Sequence, residues 1–280
     1  MEKKLKMYFP VFILPTLVAF TIAFLIPFVL GVYLSFTKFT TVVDAKWVGF
    51  DNYIKAFQNK EFINALWFTV RFAAISVITI NVFAFALAYL LTKGKKGTNI
   101  FRTIFFMPNL IGGIVLGYIW QLIINGVLYK LGVTLTVNPK YGFWGLTVLM
   151  NWQLIGYMMI IYIAGLQNVP GELYEAAKID GAGSWRILRS VTIPMVMPAI
   201  TICLFLSLSN SFKLFDQNLA LTAGAPSRKT AMLALDIYNT FYGKMGWEGV
   251  GQAKAVVFFI LVAAIAFLQL VLTRRKEVEN

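Results

Sequence analysis

Histidine is absent from this chain of 280 residues, and cysteine occurs once, as Cys203. A single thiol forbids any disulfide within the chain. Without imidazole, no thiolate–imidazole set can hold zinc, ligate haem or act as a Ser/His or Cys/His nucleophile pair. Acidic residues are scarce too, with 12 Asp and Glu against 25 Lys and Arg. Charged residues make up 13% of the chain, half the roughly 25% of an ordinary soluble domain. With 59% hydrophobic residues and a mean hydropathy of +0.74, the chain lacks the polar shell that would cover its apolar atoms in water. An integral membrane protein is expected, and an enzyme would have only carboxylates to work with.

The net charge of +13 suggests nucleic-acid binding only if the basic residues gather on one soluble face. They do not. Six stretches are free of charge, 7–37, 72–92, 103–129, 141–171, 190–212 and 255–273. Crossing a hydrocarbon core about 30 Å thick takes roughly 20 apolar residues in a helix. A membrane β-barrel would show segments of about ten residues with alternating polarity, whereas 77–91 and 256–272 are apolar on every side. The expected fold class is an all-α integral membrane protein with six transmembrane helices. Segments 1–6, 93–102, 172–189 and 274–280 hold 13 Lys and Arg in 41 residues, against 12 in 87 for 38–71, 130–140 and 213–254. Basic residues near span ends stay in the cytoplasm, so both termini are expected inside. Lys3, Lys4 and Lys6 ahead of an apolar run also suit a signal peptide, but that run is too long and carries no small-x-small cleavage site.

The apolar stretches also lack Asp and Glu. Ion-coupled carriers place ionisable groups or broken helices near the bilayer midplane. Here Arg71 lies at the outer end of a second span starting near Leu66, within snorkelling reach of water, and Lys213 and Asp216 lie just past the fifth stretch, as markers of an outer mouth. Energy for transport is therefore expected to come from a partner acting on a cytoplasmic segment. With no internal repeat and no low-complexity linker, the chain is expected to form a single membrane domain, 1–280, with a first span over 8–36.

The segment 169–194, between the fourth and fifth stretches, does not read as a plain connector. Pro170 suits a first helical turn, and Glu172 meets the positive end of the helix dipole. Leu173, Ala176, Ala177 and Asp180 follow at 3/4 spacing and make a narrow stripe. Gly181 and Gly183 are suited to left-handed backbone angles that stop a helix, and Ser184 is a plausible N-cap for a second short helix leading to Pro194. Small side chains let another protein approach the backbone closely. On these grounds alone, a docking helix and an ordinary surface helix both fit.

Glu175-Ala176-Ala177, three residues, Gly181, nine residues and Val191-Thr192-Ile193-Pro194 resemble the E-A-A-x3-G-x9-I-x-L-P loop of binding-protein-dependent ABC import permeases. Val191 and Ile193 replace the usual Ile and Leu. Two further segments resemble carbohydrate permeases of the maltose, multiple-sugar and glycerol-phosphate type. Trp47-Val48-Gly49-Phe50-Asp51-Asn52-Tyr53 is similar to their F/W-x-G-x-x-N-Y segment. Leu221-Thr222-Ala223-Gly224-Ala225-Pro226, with Thr230, Ile237 and Tyr238, is similar to their L-T-x-G-G-P loop, with Ala225 in place of the second glycine. The resemblance implies the type I importer permease fold, with a core of five spans over 66–272. It also implies a multi-pass place in a bacterial cell membrane. The partners it implies are a second homologous permease, two ATP-binding cassette subunits that use ATP, and an extracytoplasmic solute-binding protein. In that family the loop is a coupling helix seated on the ATPase, a role implied here for Glu175, Ala176, Ala177, Asp180 and Gly181, with no cofactor, metal or catalytic residue in the chain.

Around the resembling segments, Asp51 is suited to cap a short external helix, 52–58, and Met232, Leu235, Tyr238 and Tyr242 recur at helical spacing over 231–242. Both helices suit a docking platform for the binding protein or simple packing at the membrane interface. A sugar is held by aromatic faces and by amides or hydroxyls. Asn151, Trp152, Gln153 and Tyr157 on the fourth stretch and Ser207, Ser209, Asn210 and Ser211 on the fifth are the candidates, with Asn81 and Gln121 weaker ones. Interhelical hydrogen bonding fits the same polar residues. Trp152 and Tyr157 lie near positions that line the sugar site in maltose-type permeases. The reading is a sugar importer permease. The alternatives are an ABC permease for a charged solute, which needs a charged group on the path, and an ion-coupled carrier acting alone.

Overall fold

Proline and glycine decide where the apolar stretches stay straight and where they bend. The computed structural model describes residues 2–94 and 97–275; Lys95, Lys96 and Lys276 lie outside the described residues, as do the side chains of Lys3, Lys4 and Lys6. The helices are α1 (Glu2–Phe20), α2 (Ile26–Leu34), α3 (Asp51–Gln58), α4 (Lys60–Leu91), α5 (Thr98–Phe106), α6 (Gly113–Tyr129), α7 (Pro139–Gln167), α8 (Gly171–Ile179), α9 (Ser184–Ile187), α10 (Ile193–Met195), α11 (Met197–Phe212), α12 (Asp216–Leu221), α13 (Leu233–Gly243) and α14 (Glu248–Arg274). Two short strands, β1 (Thr37–Lys38) and β2 (Lys46–Trp47), pair antiparallel.

α4 contains neither glycine nor proline and runs unbroken for 32 residues, about 48 Å at about 1.5 Å per residue. Asn59 caps it by accepting from the Phe62 N–H. α7 starts the same way, with Pro139 in the first turn and Asn138 accepting from the Lys140 N–H. Prolines elsewhere disturb the helical ladder in a repeated manner. A π-turn over Thr21–Leu25 ends two residues before Pro27, and another over Leu188–Thr192 ends two before Pro194. In both, the wider register moves carbonyls clear of the proline ring, which has no N–H to offer them.

Four helical runs, Ile13–Leu34, α4, α7 and α14, are long and apolar enough to cross a membrane. The third and fifth apolar stretches are not single straight spans. Thr98–Leu110 and Gly113–Tyr129 meet at 102°, and Ser184–Met195 and Met197–Phe212 at 71°. The expected count of six spans holds when each bent pair is one span. The causes are local. Pro108 sits in a 3-10 turn followed by extended Ile111 and Gly112, and Val196 leaves the helix between Pro194 and Pro198.

The chain divides into two compact units. One runs to Phe62 and takes in Ile237–Phe259. It holds the first span, the β1–β2 ribbon and α3, and its polar centre is Lys254, fully buried with its ammonium bonded to Thr240 Oγ1 at 2.8 Å and 5.2 Å from the centre of the Phe62 ring. The other takes in Ile63–Asp236 and the chain from Ile260. Its core forms around α7, where Leu146, Leu149, Met150, Met158, Met159 and Tyr162 meet Phe72 and Ile80 of α4. Small residues set the closest approaches, as expected where bilayer hydrocarbon offers no hydrophobic drive between helices. A Cβ on Gly156 of α7 would stand 1.7 Å from the Phe105 carbonyl oxygen, and one on Gly117 of α6 would stand 2.6 Å from Ala220 Cβ of α12. Large apolar side chains such as Leu122, 73% exposed, face outward, where a bilayer would cover them.

Candidate functional site

α8 begins after Pro170, which precedes the helix as its N-cap rather than lying in its first turn. Its end is a complete Schellman motif: the Ala182 N–H donates to the Ala177 carbonyl at 2.9 Å and the Gly181 N–H to the Lys178 carbonyl at 3.0 Å. Gly181 takes φ +72°, the left-handed angle expected of it. Gly183 does not. It is extended at φ −69°, ψ 162°, and serves as N-cap of α9, so Ser184 is the first helical residue and makes no capping bond. Glu172 lies in the first turn and Lys178 in the last, both favourable to the helix dipole.

One edge of α8 is tied down and the other is bare. Tyr174 packs on the main core, and Thr192 Oγ1 approaches its hydroxyl at 3.5 Å. Glu175, Ala176, Asp180 and Gly181 are exposed and Ala177 is half-buried. Beside them Ile179 is 85% exposed and Trp185 73% exposed. An uncovered isoleucine and tryptophan next to small residues and two carboxylates form the kind of mixed patch that another protein covers.

The polar residues proposed for a solute path fall into two groups. Trp152, 44% exposed, meets Trp120 edge-on at 5.7 Å, Tyr157 is half-buried near Phe106, and Asn210 is exposed with its amide donating to the Leu206 carbonyl. Asn151 donates to the Thr147 carbonyl at 2.8 Å, while its buried Oδ1 has no protein partner. The second group is enclosed. Gln153 accepts from Gln217 Nε2 at 2.9 Å, and Ser211 donates to the Ser207 carbonyl. Ser207 donates to the Cys203 carbonyl and accepts from Asn81 Nδ2, and Asn81 in turn accepts from the Tyr162 hydroxyl at 2.6 Å. Ser207 and Ser211 are fully buried. Gln121 donates to the Leu221 carbonyl at 3.0 Å.

The two loop segments are each organised by one buried asparagine. Asn52 donates to the carbonyls of Ser35 and Thr37, Tyr53 shares a hydrogen bond with Ser35, and Gly49 turns the chain at φ +60°. Asp51 does not cap α3, whose N-cap is Phe50; it pairs instead with Lys55 at 2.6 Å along the helix surface. In the other loop Asn218 donates to the Thr230 carbonyl and accepts from the Met232 N–H, while the Thr230 hydroxyl donates to the Ala225 carbonyl. Positive φ falls on Ala223, Gly224, Ser227 and Arg228 and not on Ala225, which precedes a cis proline.

A sequence profile described as "binding-protein-dependent transport system inner membrane component" matches residues 87–278. The chain belongs to this family of membrane transport permeases. The permease is 44% identical, over the whole of both chains, to a probable starch degradation products transport system permease protein of Thermoanaerobacterium thermosulfurigenes. It is 29% identical to a trehalose/maltose transport system permease protein of Thermococcus litoralis, over 92% of this chain and 90% of that one. Its fold matches a chain of a bacterial ABC transporter involved in import of the acidic polysaccharide alginate, with TM-score 0.81, 21% identity and 98% of each chain covered.

Three features of the permease escaped sequence reasoning. Ile179 and Trp185 fall outside the 3/4 stripe of small residues, although a tryptophan in a polar connector is itself a signal. Asn218 carries no sequence signal beyond that of any polar residue in an outer loop. Lys254 read as the residue that ends an outer segment, whereas it lies inside α14 and is buried.

Proposed function

We propose that this permease is the membrane subunit of an ATP-driven, binding-protein-dependent sugar importer, taking oligosaccharides of the kind released from starch. The observation that carries this reading is α8, closed by Gly181 and presenting Glu175, Ala176 and Asp180 beside uncovered Ile179 and Trp185. The density of basic residues puts that patch in the cytoplasm, where an ATPase seats Glu175, Ala176, Ala177, Asp180 and Gly181 and transmits its closure. The permease pairs with a second permease and two ATPase subunits in a bacterial cell membrane, and the Asn52 and Asn218 segments receive a solute-binding protein outside. It binds no cofactor itself; ATP is used by the partner.

Within this reading Trp152 and Tyr157 offer rings to the sugar, and Asn151 and Asn210 offer amides to its hydroxyls. Gln153, Ser207 and Ser211 hold these positions from behind. The name of the 44%-identical relative supports a starch-derived solute. The test is reconstitution of the permease with its partner permease and ATPase in proteoliposomes, supplied with binding protein and labelled malto-oligosaccharide. Uptake should require ATP and fall at least tenfold with Glu175→Lys. Uptake without ATP would favour a carrier acting alone, and uptake of charged solutes instead would favour the other rival.

A further inference from the structure

Three basic side chains without acidic partners stand around one cavity of about 600 Å³ in the larger unit. Arg71 comes from α4, Lys140 from the first turn of α7, and Lys229 from the loop braced by Asn218. None of the three makes an ion pair among the described residues. Arg71 Nε donates to the Trp67 carbonyl at 3.1 Å, which anchors the guanidinium and leaves its terminal amino groups to a ligand. The amides of the first α7 turn add the positive end of a helix dipole to the same wall.

The rest of the lining decides what kind of ligand fits. Asn64 is the one lining side chain with a strong acceptor, so the site offers donors almost alone. Sugar hydroxyls both donate and accept, and would leave donors unpaired here; an anion would not. Phe143 and Trp144 form apolar walls, and Ala74 and Ile75 extend the lining one turn further along α4. A free inorganic anion has no use for that apolar extension. The cavity lies at the N-terminal end of α7, and the 169–194 loop follows its other end after 29 residues, about 43 Å away. The level is that of a headgroup layer, and an exposed tryptophan such as Trp144 suits such a layer.

We propose that this cavity binds the phosphodiester headgroup of an anionic phospholipid, with an acyl chain running over Ala74 and Ile75. The site goes beyond the transport reading and does not depend on which solute is carried. Lysine and arginine at a membrane surface attract anionic lipid, and here a three-sided arrangement around one cavity converts that attraction into a discrete site.

The full-length permease, purified in neutral detergent, is titrated with phosphatidylglycerol, phosphatidylcholine, inorganic phosphate and an acidic oligouronate, with bound molecules counted by native mass spectrometry. Phosphatidylglycerol should bind saturably and at least tenfold tighter than phosphatidylcholine. Joint replacement Arg71→Gln, Lys140→Gln and Lys229→Gln should abolish that preference, while Lys38→Gln, Lys46→Gln and Lys213→Gln together should keep it. Ala74→Trp, at an exposed helical position, should weaken phosphatidylglycerol by filling the apolar extension. Equal affinity for the two lipids, or a preference that survives the triple replacement, would overturn the proposal. So would inorganic phosphate matching the lipid, or oligouronate binding tighter with the same sensitivity. Should the triple variant lose its helical circular dichroism, Arg71→Gln and Ala74→Trp carry the test singly, and no change in either overturns it.

Discussion

Replacing Gly181 separates the backbone's contribution to the coupling segment from everything else there. A Cβ at Gly181 meets nothing within 4 Å, so alanine introduces no clash. Its cost is the left-handed backbone at φ +72° alone, about 1–2 kcal/mol. Asparagine tolerates that region and costs less. Proline cannot reach it, since its ring holds φ near −65°, and it also removes the N–H that donates to Lys178. The expected order of harm is therefore asparagine, alanine, proline. A cost of 1–2 kcal/mol shifts the capped segment against uncapped forms by about 5–30-fold. ATP-driven uptake in proteoliposomes and recovery of the ATPase on the tagged permease are the two readouts. Both should decline in that order while the amount of inserted permease stays constant. Full activity of Gly181→Pro, or alanine proving worse than proline, would refute the reasoning, because no property of the Schellman cap produces either result.

Other expectations follow from single positions. Gly156→Ala forces a Cβ against the Phe105 carbonyl, backbone that cannot swing aside, and should cost at least the about 1–3 kcal/mol of an overpacked core; thermal unfolding in detergent should show a clear fall. Gly126→Ala, in open space within α6, should instead raise stability by about 0.4–1 kcal/mol in the same assay. The N–H groups of Thr41 and Thr40 hold the Asp44 carboxyl below its ordinary 3.8. The stabilisation from this turn is therefore fully present above pH 3.8 and is lost as the pH falls through the lower folded value. The protection of the Thr41 amide, taken relative to the intrinsic exchange rate at each pH, should fall only below about pH 4; a loss of protection near neutral pH would contradict it.

The spans were legible because bilayer thickness translates directly into a count of apolar residues, and charge-free runs mark them without any tertiary information. The two bends were not. Pro108, Pro194 and Pro198 were visible, but whether a proline kinks a span slightly or turns it by 102° or 71° depends on the packing around it. In the coupling segment, the stop at Gly181 could be read from residue type alone, since that glycine does what only glycine does easily. Gly183 and Ser184 could not, because an extended glycine or an uncapped serine leaves no mark in the pattern. The candidate path residues show the same limit. Ser207 and Asn210 are three residues apart, yet one is enclosed by Asn81 and its own helix and the other faces out. Which face of α11 looks inward is a property of the packed bundle.

Cys203, buried and the sole cysteine, leaves the native permease without an accessible thiol and allows the central claim to be tested directly. Ala176→Cys places one thiol on the exposed edge of α8, and Lys130→Cys places one just beyond α6, on an exposed loop at the far side by the basic-residue count. Each variant, assembled with its ATPase, is labelled with a maleimide photocrosslinker and irradiated. Ala176→Cys should give a covalent adduct with the ATPase and Lys130→Cys none. Absence of an adduct at Ala176, or equal adducts at both positions, would contradict the account.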